Sequence, residues 1–188
     1  MRNTLAISGI GFTFGFPLPI LFAIMLNEIP GIRFKKFVQT TSYLPHFISW
    51  VVIAGIMYQM LDKNTGIVNR FIKLFGGEPI YFFAEPSMFW GLSVAISIWK
   101  GLGWSSIIYL ASIVSIDPGL YEAAAIDGAG RGKRMWHITL PGILPTVTMM
   151  LILQAGSIFS GAGITPGFDG VYNLSNATLS QYSDILDI

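Results

Sequence analysis

Three places in this chain hold residues whose types and spacing could do chemistry. The first is GAGRGKR, residues 128–134. A phosphate-binding loop needs a glycine five residues ahead of its Gly-Lys pair and a Ser or Thr after it, so that backbone N–H groups cradle the phosphates and a hydroxyl reaches the metal. Here Asp127 and Arg134 hold those two positions, and no strand-like run precedes them. The phosphate-loop reading fails, and the chain has no evident means of binding ATP. The second place is Lys100, the one basic residue well inside an apolar run. A charge at the centre of a membrane helix costs about 2.5–3.5 kcal/mol on insertion scales, so Lys100 must face a cavity or a partner. The third is the stretch from Glu122 to Asp127, where two acidic residues too far apart in sequence to count as a catalytic couple flank Ala123, Ala124 and Ala125 and could offer charge to a partner. His46 and His137 stand alone in the sequence. Paired carboxylates, a histidine–carboxylate metal cluster and a strained nucleophile elbow are lacking. No enzyme is expected, and no metal or cofactor site.

The elements that must position these groups follow from local signals. Asp117 is placed to cap a helix, and Pro118 suits a first turn that needs no N–H. LYEAAAID is a run of good helix formers, and Gly128 with Gly130 ends it where other residues resist a positive φ. A second helix is expected over Arg131–Leu140, with Met135, Trp136, Ile138 and Leu140 apolar, before Pro141 and Pro145 turn or kink the chain. A short helix, a glycine elbow and a short helix result. Such a piece suits docking: the three alanines let another backbone approach while Glu122 and Asp127 offer charge. An ordinary interhelical connection is the alternative.

Composition places this island in an apolar setting. Hydrophobic residues make up 53% and charged residues 11%, against about a quarter charged in soluble domains; mean hydropathy is +0.62. An integral membrane protein of one domain is implied. The net charge of +1 says nothing useful about nucleic acid; no basic stripe with interleaved aromatics appears, so no nucleic-acid partner is expected, and absence of cysteine excludes disulfides within the chain.

Four spans are expected, at about 5–26, 38–61, 90–114 and 143–163, with the polar connection 115–142 between the last two. Residues 5–26 carry no charge over a length that crosses roughly 30 Å of hydrocarbon. Pro17 and Pro19 are expected to kink this first span. A signal peptide is the rival, but the run is too long for its apolar region. Residues 67–75 have helical apolar spacing and read as an interfacial helix, and 164–188 as a polar tail. The connections at 27–37 and 115–142 hold six Lys or Arg; the other side holds Arg2, Lys63, Arg70 and Lys73. That bias places 115–142 in the cytoplasm.

Glu122-Ala123-Ala124, three residues, Gly128, nine residues, then Ile138-Thr139-Leu140-Pro141 matches the EAA loop of binding-protein-dependent ABC importer permeases. RFKKFVQTTSYLPHFISWVV and IWKGLGWSSIIYLASI also resemble that family, in the oligosaccharide and polysaccharide branch of its maltose-type sugar importers. The resemblance implies an all-α polytopic bundle of the type I importer kind in a prokaryotic plasma membrane. It also implies a family helix before and another after this sequence, so the chain is expected to lack the first and last; a minimal four-span protein is the alternative. Partners implied are a second permease subunit, two cytoplasmic ATPases carrying ATP and magnesium, an extracytoplasmic solute-binding protein, a carbohydrate and the lipid bilayer.

The resemblance further assigns Glu122, Ala123, Ala124, Ala125, Asp127, Gly128 and Pro141 to ATPase coupling. Sugar contacts would fall at Lys100, Gly101 and Trp104, and near Gln154, Ser157 and Ser160 on one face of the next helix. Gly101 would admit a bulky ligand, and Trp104 would stack on a sugar ring. Lysine at position 100 departs from the maltose-type pattern and suits an anionic or strongly hydroxylated saccharide. Close helix packing accounts for the same glycines and serines, and Lys100 can snorkel. A stand-alone secondary transporter or channel remains the second functional class; it would want acidic residues within the membrane, and the four spans contain none.

Overall fold

Residues 2–83, 86–156 and 167–175 are described by this structure, a computed structural model. Every regular element among them is helical. Helices α1 (Arg2–Gly15) and α2 (Pro17–Glu28) follow one another through Phe16, which keeps helical angles. Pro17 sits at the first turn of α2, where its missing N–H matters least. Helices α3 (Ile32–Phe47) and α4 (Trp50–Met60) come next, then α5 (Ile67–Leu74) and the 29-residue α6 (Pro86–Val114). The polar connection 115–142 begins with α7 (Pro118–Ile126), and the chain continues as α8 (Arg131–Arg134), a π turn over Met135–Thr139 and α9 (Leu140–Gly156). Helix α10 (Gly167–Leu174) closes the described part.

At about 43 Å, α6 is the spine of the bundle. Its N-terminal half contributes Phe89, Val94 and Ile96 to a core with Ile7, Ile53, Ala54, Val171 and Leu174. Its C-terminal half contributes Tyr109 and Ile113 to a second core with Phe16, Ile20, Ala23, Ile24 and Ile143. Close approach of α3 to α6 depends on Gly103, because a Cβ there would collide with the carbonyl of Ser42. Among the described residues, three runs are long and apolar enough to cross a membrane: Ile7–Glu28, Met88–Val114 and Arg131–Gly156.

The remaining apolar stretch is broken. Where the sequence reads as a span over 38–61, α3 and α4 meet at 103° and count as a fourth crossing only if taken together. Pro45, inside α3, cannot donate to the carbonyl four residues back, and Ile48 leaves the helix with extended backbone. Ser49 then caps α4, accepting from the Val52 N–H at 3.4 Å.

Two further expectations are corrected. No separate second short helix ends near Leu140; the helix runs unbroken from Arg131 to Gly156, through Pro141 and Pro145. The π turn is the reason. Leu140 N–H bonds to the Met135 carbonyl, five residues back, which widens the helix just where the Pro141 ring would strike the preceding turn. Within 164–188, Gly167–Leu174 is helical rather than loop-like, because Val171 and Leu174 bury into the core and Tyr58 Oη donates to the Leu174 carbonyl at 3.0 Å.

Candidate functional site in the polar connection and the broken span

The polar connection 115–142 is assembled from caps. Asp117 Oδ1 accepts from the Gly119 N–H at 2.9 Å, and Pro118 opens α7. At the other end Gly128 N–H bonds to Ala125 O at 3.1 Å and Ala129 N–H to Ala124 O at 2.8 Å. This pair of bonds is a Schellman motif, with Gly128 in the left-handed conformation at φ 71°. Gly130 differs from its expected role: its φ is −66°, so it ends nothing by handedness and only leads into α8.

Helix α7 stands away from the bundle. Glu122, Ala123, Ala125, Asp127 and Gly128 are exposed, while Ala124 is half-buried. The outward surface is more apolar than three alanines suggest, since Leu120 is exposed and Ile126 is 88% exposed, with exposed Trp136 on the next helix. Leu120 and Ile126 escaped the sequence reading; their three-residue spacing with Ala123 was the available signal. Asp127 sits at the C-terminal end of α7, where the helix dipole opposes a negative charge.

The inner side of α7 is tied to the spanning helix. Tyr121 Oη and Thr139 Oγ1 are hydrogen-bonded at 2.9 Å, with Thr139 fully buried in the π turn. Next to this bond lies a cavity of about 400 Å³ whose walls include Glu28, Tyr121, Glu122 and Arg134. Between the helices Ser112 and Thr146 pair at 2.9 Å, and a Cβ on Gly142 would strike the Ile116 side chain. Pro141 lies inside the continuous helix, two residues beyond Thr139.

Lys100 meets the broken span. Its ammonium donates to the carbonyls of His46 at 2.6 Å, Ile48 at 2.7 Å and Pro45 at 3.3 Å, and lies 5.5 Å from the Trp50 ring centroid. These carbonyls lie where α3 stops, the end of a helix that favours a cation, and the Pro45 carbonyl also accepts from the Ile48 N–H at 3.2 Å. Three donors thus find three acceptors within the protein. Trp104, one turn on, stacks on His46 with ring centroids 4.6 Å apart and planes 3° from parallel, while Phe47 meets it edge-on. Trp104 remains exposed, and space opens in front of Gly101. Gln154 is half-buried on α9. Ser157 and Ser160 lie outside the described residues, as does the end of the expected span 143–163.

Residues 15–167 match the family described as binding-protein-dependent transport system inner membrane component. The chain is 44% identical over 187 residues to the polygalacturonan/rhamnogalacturonan transport system permease protein YteP of Bacillus subtilis (strain 168), and 40% identical to Protein LplB of the same organism. Each alignment takes in all of this chain and 57% of the relative. In structure it is similar to a bacterial ABC transporter involved in the import of the acidic polysaccharide alginate, with a TM-score of 0.90 at 41% identity over 98% of this chain and 63% of that one. A second structure, of a bacterial alginate ABC transporter in complex with an alginate pentasaccharide-bound periplasmic protein, gives a TM-score of 0.91 at 41% identity, over 98% of this chain and 62% of that one.

Proposed function

The chain belongs to the binding-protein-dependent transport system inner membrane components, and from that premise we propose that it is a permease subunit of an ATP-driven importer of acidic oligosaccharides. The observation that carries the reading is the architecture of the coupling segment. An exposed helix, closed by a Schellman elbow, is hydrogen-bonded on its inner side to the first turns of a membrane-crossing helix. Because α8, the π turn and α9 are one helix, the elbow's second arm is itself the spanning helix. A force on α7 acts on that helix directly.

The rest of the assembly is inferred. Two cytoplasmic ATPases bind ATP and magnesium, and closing of their dimer moves α7; this chain binds neither. Glu122 is the charged contact to the ATPase, Ala123 and Ala125 with Ile126 form the close-packing face, and Gly128 sets the angle. A second permease subunit completes the path, and an extracytoplasmic solute-binding protein delivers the sugar on the side opposite α7. The spanning helices shift as a near-rigid body, switching access to a midplane site. The names of the relatives support an acidic polysaccharide fragment as cargo. Gly101 and the free face of Trp104, with Gln154, Ser157 and Ser160, form the sugar contacts, and Lys100 holds the broken span behind them.

Glu122→Lys and Gly128→Leu in the complete complex test this. Uptake and substrate-stimulated ATP hydrolysis are expected to collapse while membrane insertion persists. Normal uptake in both variants rejects the role of the segment.

A further inference from the structure

Helix α5 leaves an apolar face without a partner among the described residues, and the way it is anchored fixes which face that is. Asn69, 1% exposed, donates through Nδ2 to the carbonyls of Asp62 at 3.0 Å and Ile80 at 2.8 Å, and its Oδ1 accepts from the Ile80 N–H at 2.8 Å. Three bonds to the backbone on both flanks stop the helix from rolling. Val68 is thereby half-buried against the core that holds Ile53 and Phe83, while Ile72 is half-buried beside Gly77. Ile67, Phe71, Leu74 and Phe75 point elsewhere and are exposed, the last two at 78% and 89%.

At 3.6 residues per turn these four fall within an arc of about 100°, and the exposed Arg70 and Lys73 fall together on the arc beside it. Exposed Lys63 stands in the turn leading into α5. A water-facing helix would carry its charges where the phenylalanines are. A helix lying at a bilayer surface needs this division instead: an apolar arc in the acyl boundary and basic side chains reaching the phosphate layer. The apolar surface is also continuous in sequence with a lipid-facing pattern, since Val51, Val52, Ile56 and Met60 of α4 are exposed just before the turn.

We propose that α5 is an interfacial anchor, seated in the phospholipid headgroup region of the leaflet opposite the coupling segment, with Phe71, Leu74 and Phe75 inserted and Arg70 and Lys73 on headgroup phosphates. The anchor holds the outer end of the broken span at a fixed depth, and it stands or falls separately from the ATPase-coupling role.

The chain has no cysteine, so single spin labels can be placed at Phe71→Cys, Leu74→Cys, Arg70→Cys and Lys73→Cys in the assembled importer, in bilayers of mixed zwitterionic and anionic phospholipid. Power saturation should show oxygen access exceeding that of a water-soluble nickel chelate at positions 71 and 74, reversing at 70 and 73. Chelate access dominating at all four positions, or protection of 71 and 74 from both reagents by covering protein, overturns the proposal. Asn69→Ala supplies an independent check: with the roll freed, the contrast between the two pairs should shrink, and an unchanged contrast contradicts the anchoring geometry.

Discussion

Tyr121 Oη and Thr139 Oγ1 lie 2.9 Å apart across the elbow, joining the exposed helix α7 to a fully buried position in the spanning helix. Eighteen residues separate them in sequence, and the Schellman turn at Gly128 brings them face to face. Removing this bond leaves both arms in place but slackens the link between them. Tyr121→Phe or Thr139→Val should each cost about 1 kcal/mol of stability. More informatively, each should lower the number of sugars moved per ATP hydrolysed. A double-mutant cycle should show a coupling of about 0.5–1.5 kcal/mol, whereas additivity would mean the bond is idle.

The two glycines of the elbow should respond differently. Gly128 has φ 71°, so Gly128→Ala should destabilise by about 1–2 kcal/mol. Gly130 has φ −66° and nothing within 4 Å of an added Cβ, so Gly130→Ala should leave the thermal midpoint of the detergent-solubilised complex unchanged or slightly raised.

Lys100 separates a structural role from a sugar-binding one. Its ammonium is taken up by the carbonyls of Pro45, His46 and Ile48, so Lys100→Met strands carbonyls at the end of α3. A loss of about 1–3 kcal/mol is expected, seen as a lower thermal midpoint with or without sugar. Uptake of the acidic oligosaccharide should fall in step with the amount of folded complex. A loss of uptake with stability intact would instead mean that the lysine reads the sugar's charge.

Packing of α6 against α3 is set by one glycine. Gly103→Ala drives a methyl into the Ser42 carbonyl and should cost about 1–3 kcal/mol. Gly101→Ala, two residues away with open space ahead of it, should be stable, and any effect on uptake would then report crowding of the cargo path.

Legibility followed the range of the interactions. The caps of α7 were readable because Asp117, Pro118 and Gly128 act on backbone within four residues of themselves. The long apolar runs marked the bundle because charge is scarce in them. Lys100 was conspicuous as a charge needing company, but its partners lie more than fifty residues away, and no local pattern names them. The same holds for the His46–Trp104 stack. The break between α3 and α4 hid inside a run free of Asp, Glu, Lys and Arg, where Pro45 was the main cue and one proline does not say whether a helix bends or stops. Pro141 misled in the other sense, since the π turn before it absorbs the clash that was expected to turn the chain. Val171 and Leu174, three residues apart in a polar stretch, were too brief a pattern to announce α10.

Photo-crosslinking from the outer face of α7 tests the central claim most directly. With a photoreactive residue in place of Ala123 or Ala125 in membranes holding the whole importer, the account predicts adducts with the ATPase subunit, changed in yield by ATP. It also predicts that a membrane-impermeant reagent applied from outside leaves a cysteine at either position untouched. Labelling from the outside, with no ATPase adduct, would contradict it.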